Sequence, residues 1–541
     1  MSAMRLAVSV ALMLGALGAG SAAAAPWSPP VRVSTSDDEA IDTTPVVLGV
    51  GALPGGGTTV ALQGGLGVRV GLLGAGGTKT GDPVTVDGSQ YGAAAAVSNV
   101  NGVSLFLYGH PDGGVFAAFR RQDGSVQAFP TPIVATSANE SVMAVAGAID
   151  AHANALALVS VVKEDAHEHV IGGRVQLVRF RVGPGWSAPV TLVSSVEPAM
   201  GQMDVTLNDF GQGSVAWLAH RAGKRVVVQT ARVTLSPGPV HVRSTAALRG
   251  DPCALNLAAG QTGAPLVAWS VTSSSCYGGA TVWAARMAAS GALGSQTNLG
   301  PAYGPLSAGS DAVGNATVGW LDPKGRVKLH QAPAGAASGT QTTLWQPSRR
   351  KGQTGASQLR VAVDGVGDTV VGWSPEVNDG EFTRVVAAVR PAGGRFGSVE
   401  PVGDGGDSRS SGPLQLTIGP DGITRAAWTE GAGNCCGSVE AGVRKPLPRV
   451  TASSLVIAGS GAAARASFRL SAAGVVQVTL TGDGAIPHGT AVLVRGHAGR
   501  NALRLGPVVK GLPAGTYHVV VGPASGGLYA TQPTATLVVG G

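Results

Sequence analysis

Short apolar runs with a period of two recur along the chain, separated by turns rich in Gly, Pro, Asp and Asn. A half-buried strand requires this alternation, because successive side chains point to opposite faces of a sheet. Residues 359–402 show the unit clearly. Leu359-Arg360-Val361-Ala362-Val363 alternates, Asp364-Gly365 turns the chain, and Thr369-Val370-Val371-Gly372-Trp373 makes a second run ending in an aromatic. Arg384 to Val389 predicts a third strand and Phe396 to Val402 a fourth, with Pro391-Ala392-Gly393-Gly394 turning between them.

The end of the second run recurs at Leu62, Tyr108, Leu158, Trp217, Trp269, Trp320, Trp373 and Trp428, at steps of 46 to 59 residues. Four strands per unit at that spacing predict a β-propeller, and the period of two excludes helical solenoids. The last unit lacks a fourth strand, since Lys445-Pro446-Leu447-Pro448 leads away. Trp27-Ser28-Pro29-Pro30-Val31 supplies one, echoing Trp186-Ser187-Ala188-Pro189-Val190 of the third unit. An N-terminal strand completing the last blade would close the ring and leave no free edge there. The expectation is an all-β, eight-bladed propeller over 25–445, with seven blades as the alternative if an early Trp-less unit is irregular. One bulky residue per unit fills the gap between neighbouring sheets, so the Trp series reads as packing. The turn residues Asp150, Asp209, Asp311, Asp364 and Asp421, with Asn101, read as tight-turn formers before they read as ligands.

From Val450 the period changes, and 450–541 holds about seven short apolar runs, the size and texture of an immunoglobulin-like β-sandwich. Leu512-Pro513-Ala514-Gly515-Thr516-Tyr517 resembles the Pro-x-Gly-Thr-Tyr turn common in small sandwich modules of secreted bacterial proteins. That resemblance covers this module alone and implies a spacer or attachment domain. The repeats resemble sialidase-type and WD40-type blades in their Asp turns and Trp positions. They lack the full Ser-x-Asp-x-Gly-x-x-Trp box of the sialidases, and no arginine triad stands out.

Composition adds a location. Arg5, the apolar stretch Leu6 to Leu17 and the small residues Ser21 to Ala25 read as a signal peptide over 1–24. No later run reaches spanning length, so a secreted, extracellular or envelope-associated protein is expected. Only 13% of residues are charged, and the net +7 is scattered. Nucleic-acid binding, which needs a basic stripe, is therefore not expected.

In a propeller the loops joining strands two to three and four to one open on one face. The second-to-third loops contain most of the polar side chains outside the turns. His110, His220, Glu376, Asp379, Glu381 and Glu430 are the ligand-binding candidates. Glu164, Asp165, His167, Glu168 and His169 form the densest cluster and are candidate divalent-metal ligands, though no HExxH signature is present and a solvated loop tip is the plainer reading. No cofactor is otherwise called for. Cys253 and Cys276 fall on the same face and are positioned to pair. Cys435 and Cys436 are adjacent and could form a vicinal bridge, remain thiols or bridge to another chain. No nucleophile elbow or phosphate loop occurs. The leading expectation is a secreted binding protein presenting its loop face to an extracellular carbohydrate, peptide or protein. The alternative is an extracellular hydrolase or lyase using acids and His around the channel, since a glycosidase needs only two positioned carboxylates. A third reading is a purely structural envelope protein.

Overall fold

The computed structural model describes residues 26–35, 45–87, 93–110, 113–167, 169–195, 202–221, 225–245, 248–272, 276, 279–377, 381–382, 384–402, 410–430, 437–447, 450–482, 490–510, 512–524 and 532–539. These residues are nearly all β, with one short α-helix, Gly506–Val509. No helix among them is long and apolar enough to cross a membrane.

The strands form antiparallel sheets of mostly consecutive strands. Val46–Ala52, Thr58–Gly64, Gly67–Leu73 and Val84–Asp87 make the first. Ala94–Ser98, Glu140–Ile149, Met203–Leu207, Asp251–Ala258, Leu306–Ser310, Gln353–Val363 and Ser410–Ile418 each begin one of the seven that follow among the described residues. Each of these first strands packs on the first strand of the next sheet, and Ser410–Ile418 packs back on Val46–Ala52, so the sheets run in a closed cycle. The approach is close. A Cβ on Gly49 would stand 2.5 Å from the Ala96 carbonyl oxygen of the neighbouring sheet.

The eighth sheet takes its fourth strand from the N-terminus. Val31–Arg32 pairs with Ser438–Arg444, placing Val31 opposite Ala441 and Arg32 opposite Glu440. Trp27 and Val33 flank it and are buried. Trp27 Nε1 donates to Glu400 at 3.2 Å, and Arg444 grips the same carboxylate at 2.9 Å, which ties this junction to the seventh sheet.

Packing explains the periodic bulky residue. Leu62, Tyr108, Leu158, Trp217, Trp269, Trp320, Trp373 and Trp428 are all buried. Trp269 sits in a cluster with Ala216, Leu218 and Val228 of the preceding sheet, filling the wedge between the two. The turn residues act locally and laterally. Asp150 Oδ1 accepts the His152 and Asn154 amides at 2.9 and 2.8 Å, and Asp364 Oδ1 accepts those of Val366, Gly367 and Asp368. Asp209 Oδ1 accepts the Ala151 amide of the neighbouring sheet at 2.8 Å.

Strand limits differ in two units. In the seventh, the third strand is Val386–Arg390 and the fourth only Glu400–Pro401, although the Gly397 amide already donates to Val389 O at 2.9 Å and Arg390 lies over the Phe396 ring at 5.4 Å. In the third, Gly185–Trp186 and Val190–Ser195 pair separately, since Pro189 between them has no N–H to donate.

Beyond Val450, Ala452–Ala458, Arg465–Leu470 and Gly499–Arg504 form one sheet, and Thr490–Gly496, Gly474–Gly482, Gly515–Pro523 and Thr534–Val539 another. Both close on one core that includes Phe468, Leu480, Tyr517 and Val521. This pair of sheets rests on the turns between first and second strands of the sixth and seventh sheets. The Val475 amide donates to Val366 O at 3.1 Å, Ala312 packs with Val475 and Ala524, and Arg495 lies 3.6 Å from Asp311.

Candidate functional site

The opposite face carries the second-to-third loops. Cys253 and Cys276 are bonded there, with Cα atoms 5.4 Å apart. The Gly304 amide, in the loop between the fifth and sixth sheets, donates to the Cys276 carbonyl at 2.9 Å, so the two kinds of loop do meet on one face. Cys435 and Cys436 lie outside the described residues.

Among the described residues, the sequence candidates are spread over several sheets on that face, apart from Glu164, Asp165, His167 and His169 on one hairpin. Several are strand residues rather than loop residues, because the ladder continues past the bulky position. Glu164 ends Ala155–Glu164, His220 lies in Gln212–Arg221, Glu376 in Thr369–Val377 and Glu430 in Thr424–Glu430. Glu381–Phe382 pairs back on Glu376 and Val377 as an added hairpin. Asp379 and Glu168 lie outside the described residues. Burial raises the Glu376 carboxyl. The His110 ring packs against Phe116 at 4.9 Å between centroids.

The 164–169 hairpin is held by its own backbone. Asp165 Oδ1 accepts the His169 and His167 amides at 2.9 and 2.8 Å, and these bonds hold its carboxyl below the usual range. Its Oδ2 lies 3.4 Å from the exposed His169 ring. Glu164 accepts from Ser141 at 3.2 Å. No group of three metal-ligating side chains occurs among the described residues.

At the root of this hairpin the third sheet opens a cleft of about 340 Å³, lined by Glu140, Lys163, Ile171, Gly172, Gly173, Arg174 and Ser194. Its floor is organised by Arg174, whose Nη1 pairs with Glu140 and whose Nη2 and Nε donate to Ala135 O at 3.1 Å and Gln176 at 3.0 Å. Burial alone would raise the Glu140 carboxyl. Arg174 and the Ser137 amide outweigh it and hold the group below its ordinary range. Lys163 and Ile171 stand exposed at the rim. The cleft therefore offers an ammonium, a fixed ion pair, a hydroxyl and an aliphatic surface. That set suits hydroxyl-rich ligands and contains no pair of carboxylates. None of its members was singled out from sequence, although Glu164, the neighbour of Lys163, was. The exposed Val170-Ile171 pair beside the His-rich loop was the available signal.

No protein-family model matches the chain, and no curated protein matches it in sequence. Solved structures resemble it distantly. The BP39L lectin from Burkholderia pseudomallei is 14% identical, with 68% of this chain and 99% of that one covered and a TM-score of 0.44. The Trypanosoma rangeli sialidase is 11% identical over 91% and 90% of the two chains, with a TM-score of 0.39. The fucose-specific lectin of Aleuria aurantia is 13% identical over 58% and 98%, with a TM-score of 0.34. At these scores the likeness carries no argument about what this chain does.

Proposed function

We propose that the chain is a secreted carbohydrate-binding protein, an eight-bladed propeller followed by an immunoglobulin-like module, that holds its ligand at the loop face. The cleft of Lys163, Ile171, Arg174 and Ser194 carries the proposal. It combines fixed polar groups with an exposed aliphatic side chain on the face opposite the C-terminal sheets. Eight sheets packed in a cycle support the blade number, and the cross-link between Cys253 and Cys276 fits an oxidising compartment. For the module, Tyr517 at the start of Gly515–Pro523 supports the reading: its hydroxyl donates to Pro513 O at 2.9 Å, the tyrosine-corner arrangement of such sandwiches.

The test is binding of the secreted chain to immobilised neutral oligosaccharides, beside Lys163→Ala and Ile171→Ser. A hit whose affinity falls about tenfold in either variant, roughly 1.4 kcal/mol, supports the cleft. Glycan binding indifferent to both substitutions, or none by the wild type, removes it. Steady release of shortened oligosaccharide would replace the binding reading with the hydrolase one.

A further inference from the structure

A second cavity lies on the turn face, between the fourth and fifth sheets. It measures about 250 Å³, and its wall includes Asn208, Phe210, Gln212, Arg232, Gln261 and Thr262. The position of Arg232 sets it apart. Two arginines near the end of third strands hold the next sheet: Arg179 Nε donates to Thr234 O at 2.7 Å, and Arg286 donates to Ala336 O and Pro333 O at 2.7 and 2.8 Å. Arg232 makes no such clamp. Its Nη1 donates to Ser214 at 2.8 Å, and among the described residues Nε and Nη2 have no partner and no carboxylate pairs with it. Burial lowers its pKa, with no acid contributing in the other direction. Arg390, which likewise bonds the opposed hydroxyl of its own sheet, has Phe396 beneath it and Asp311 and Asp368 close enough to favour its charge.

Phe210 supplies the second observation. It occupies the turn position that Val313 and Val366 hold in the sixth and seventh sheets, where the C-terminal sheets cover the turns. Phe210 is covered by nothing described and is 58% exposed. Around it the amides are arranged by the fold. Asn208 Nδ2 donates to Gln261 O at 2.9 Å, and Gln261 Oε1 accepts the Asp209 amide at 2.8 Å while its side chain also favours the charged Asp209 carboxyl. A half-desolvated guanidinium with two free donors is a fork for a carboxylate, and a bare ring beside amides is a platform for a hydroxylated ring.

We propose that this cavity is a separate ligand site, taking an acidic sugar whose carboxylate meets Arg232 and whose ring lies on Phe210. The proposal stands apart from the loop-face cleft, since the two share no residue.

D-glucuronate, D-glucose and inorganic phosphate are the probes, titrated by calorimetry against the full secreted chain and against Arg232→Gln, Phe210→Ala and Lys163→Ala. Glucuronate is expected to bind at millimolar strength, Arg232→Gln to weaken it about tenfold or more, Phe210→Ala to weaken it several-fold, and Lys163→Ala to leave it unchanged. Phe210→Ala alters only an exposed side chain, so it remains readable if Arg232→Gln misfolds. The idea fails if glucose binds as well as glucuronate, if phosphate binds equally and shows a simple anion site, if Arg232→Gln or Phe210→Ala binds as the wild type does, or if no saturable binding appears up to roughly 10 mM.

Discussion

At the scale of single residues, the first strands are hooked together by a polar side chain at one repeated register. Asp204 Oδ2 accepts the Leu257 amide at 2.7 Å, Asn256 Oδ1 accepts that of Ala308 at 3.0 Å, and Ser307 Oγ accepts that of Val361 at 2.9 Å. Each reaches from one sheet to the next. Only Asp204 brings a charge. It keeps a strip of solvent contact but is surrounded by protein, and burial pushes its carboxyl up to about 6 against the opposing pull of two amide bonds. The folded state therefore holds an extra proton between the ordinary Asp value of 3.8 and about 6. Stability falls as pH rises through that window and is level above it. Asp204→Asn retains an oxygen for the Leu257 amide and removes the charge. It is expected to stabilise the fold relative to wild type at about pH 7.5 by less than about 3 kcal/mol, seen as a higher Tm, and to make no difference near pH 4. Thermal melts at both pH values check this, and equal Tm differences at the two would show that Asp204 does not titrate as stated. The alternation in Met203-Asp204-Val205 was legible in the sequence. That its polar member faces a neighbouring backbone was not, because the hydrogen bond joins positions 53 residues apart.

At the scale of elements, the fifth sheet shows a local pattern and a distant contact acting together. Cys253 sits at a bulge in Asp251–Ala258, and Cys276 lies in the following second-to-third loop. The bond closes a 23-residue separation, worth about 3 kcal/mol in chain entropy. Cys253→Ser with Cys276→Ser is expected to lower Tm by a few degrees and to speed proteolysis within 273–279 first. Limited digestion with mass mapping measures it, and cleavage starting elsewhere at unchanged Tm would make the bridge dispensable. The pairing was readable because both cysteines fall at fixed points of one repeat. The extension of Thr369–Val377 through Glu376 was not. The bulky residue marks where a strand is buried, while the ladder continues as far as backbone pairing lasts.

At the scale of the molecule, closure depends on a strand from the far end of the chain. Val31–Arg32 covers the edge of Ser438–Arg444, and Trp27 enters the cluster of Trp428, Leu414 and Val402. Removing residues 26–35 exposes that strand edge and takes away a buried Trp, a loss of at least about 3 kcal/mol. The shortened chain is expected to melt well below the full one and to associate, and a synthetic peptide of residues 26–35 is expected to restore a single melt at higher temperature. Light scattering and calorimetry measure both. A truncated chain that stays monomeric with unchanged Tm would mean the cycle closes without its N-terminal strand. The echo of Trp186-Ser187 in Trp27-Ser28 made this strand legible, since the same side chains must fill the same place in each unit.

Period and alternation by themselves determined the run of short strands, their recurrence as successive antiparallel sheets and the buried residue of each unit. All of these follow from short-range geometry, in which side chains alternate and a sheet must cover its apolar face. Which polar residues share a site was decided only by the tertiary structure. In the Glu164–His169 loop Asp165 is satisfied by the loop's own amides, and the clefts are built from Lys163, Ile171 and Arg174 on one face and Phe210 and Arg232 on the other. Neither set is marked by a motif, because each depends on where neighbouring strands bring side chains together and on which guanidinium is left without a carboxylate partner.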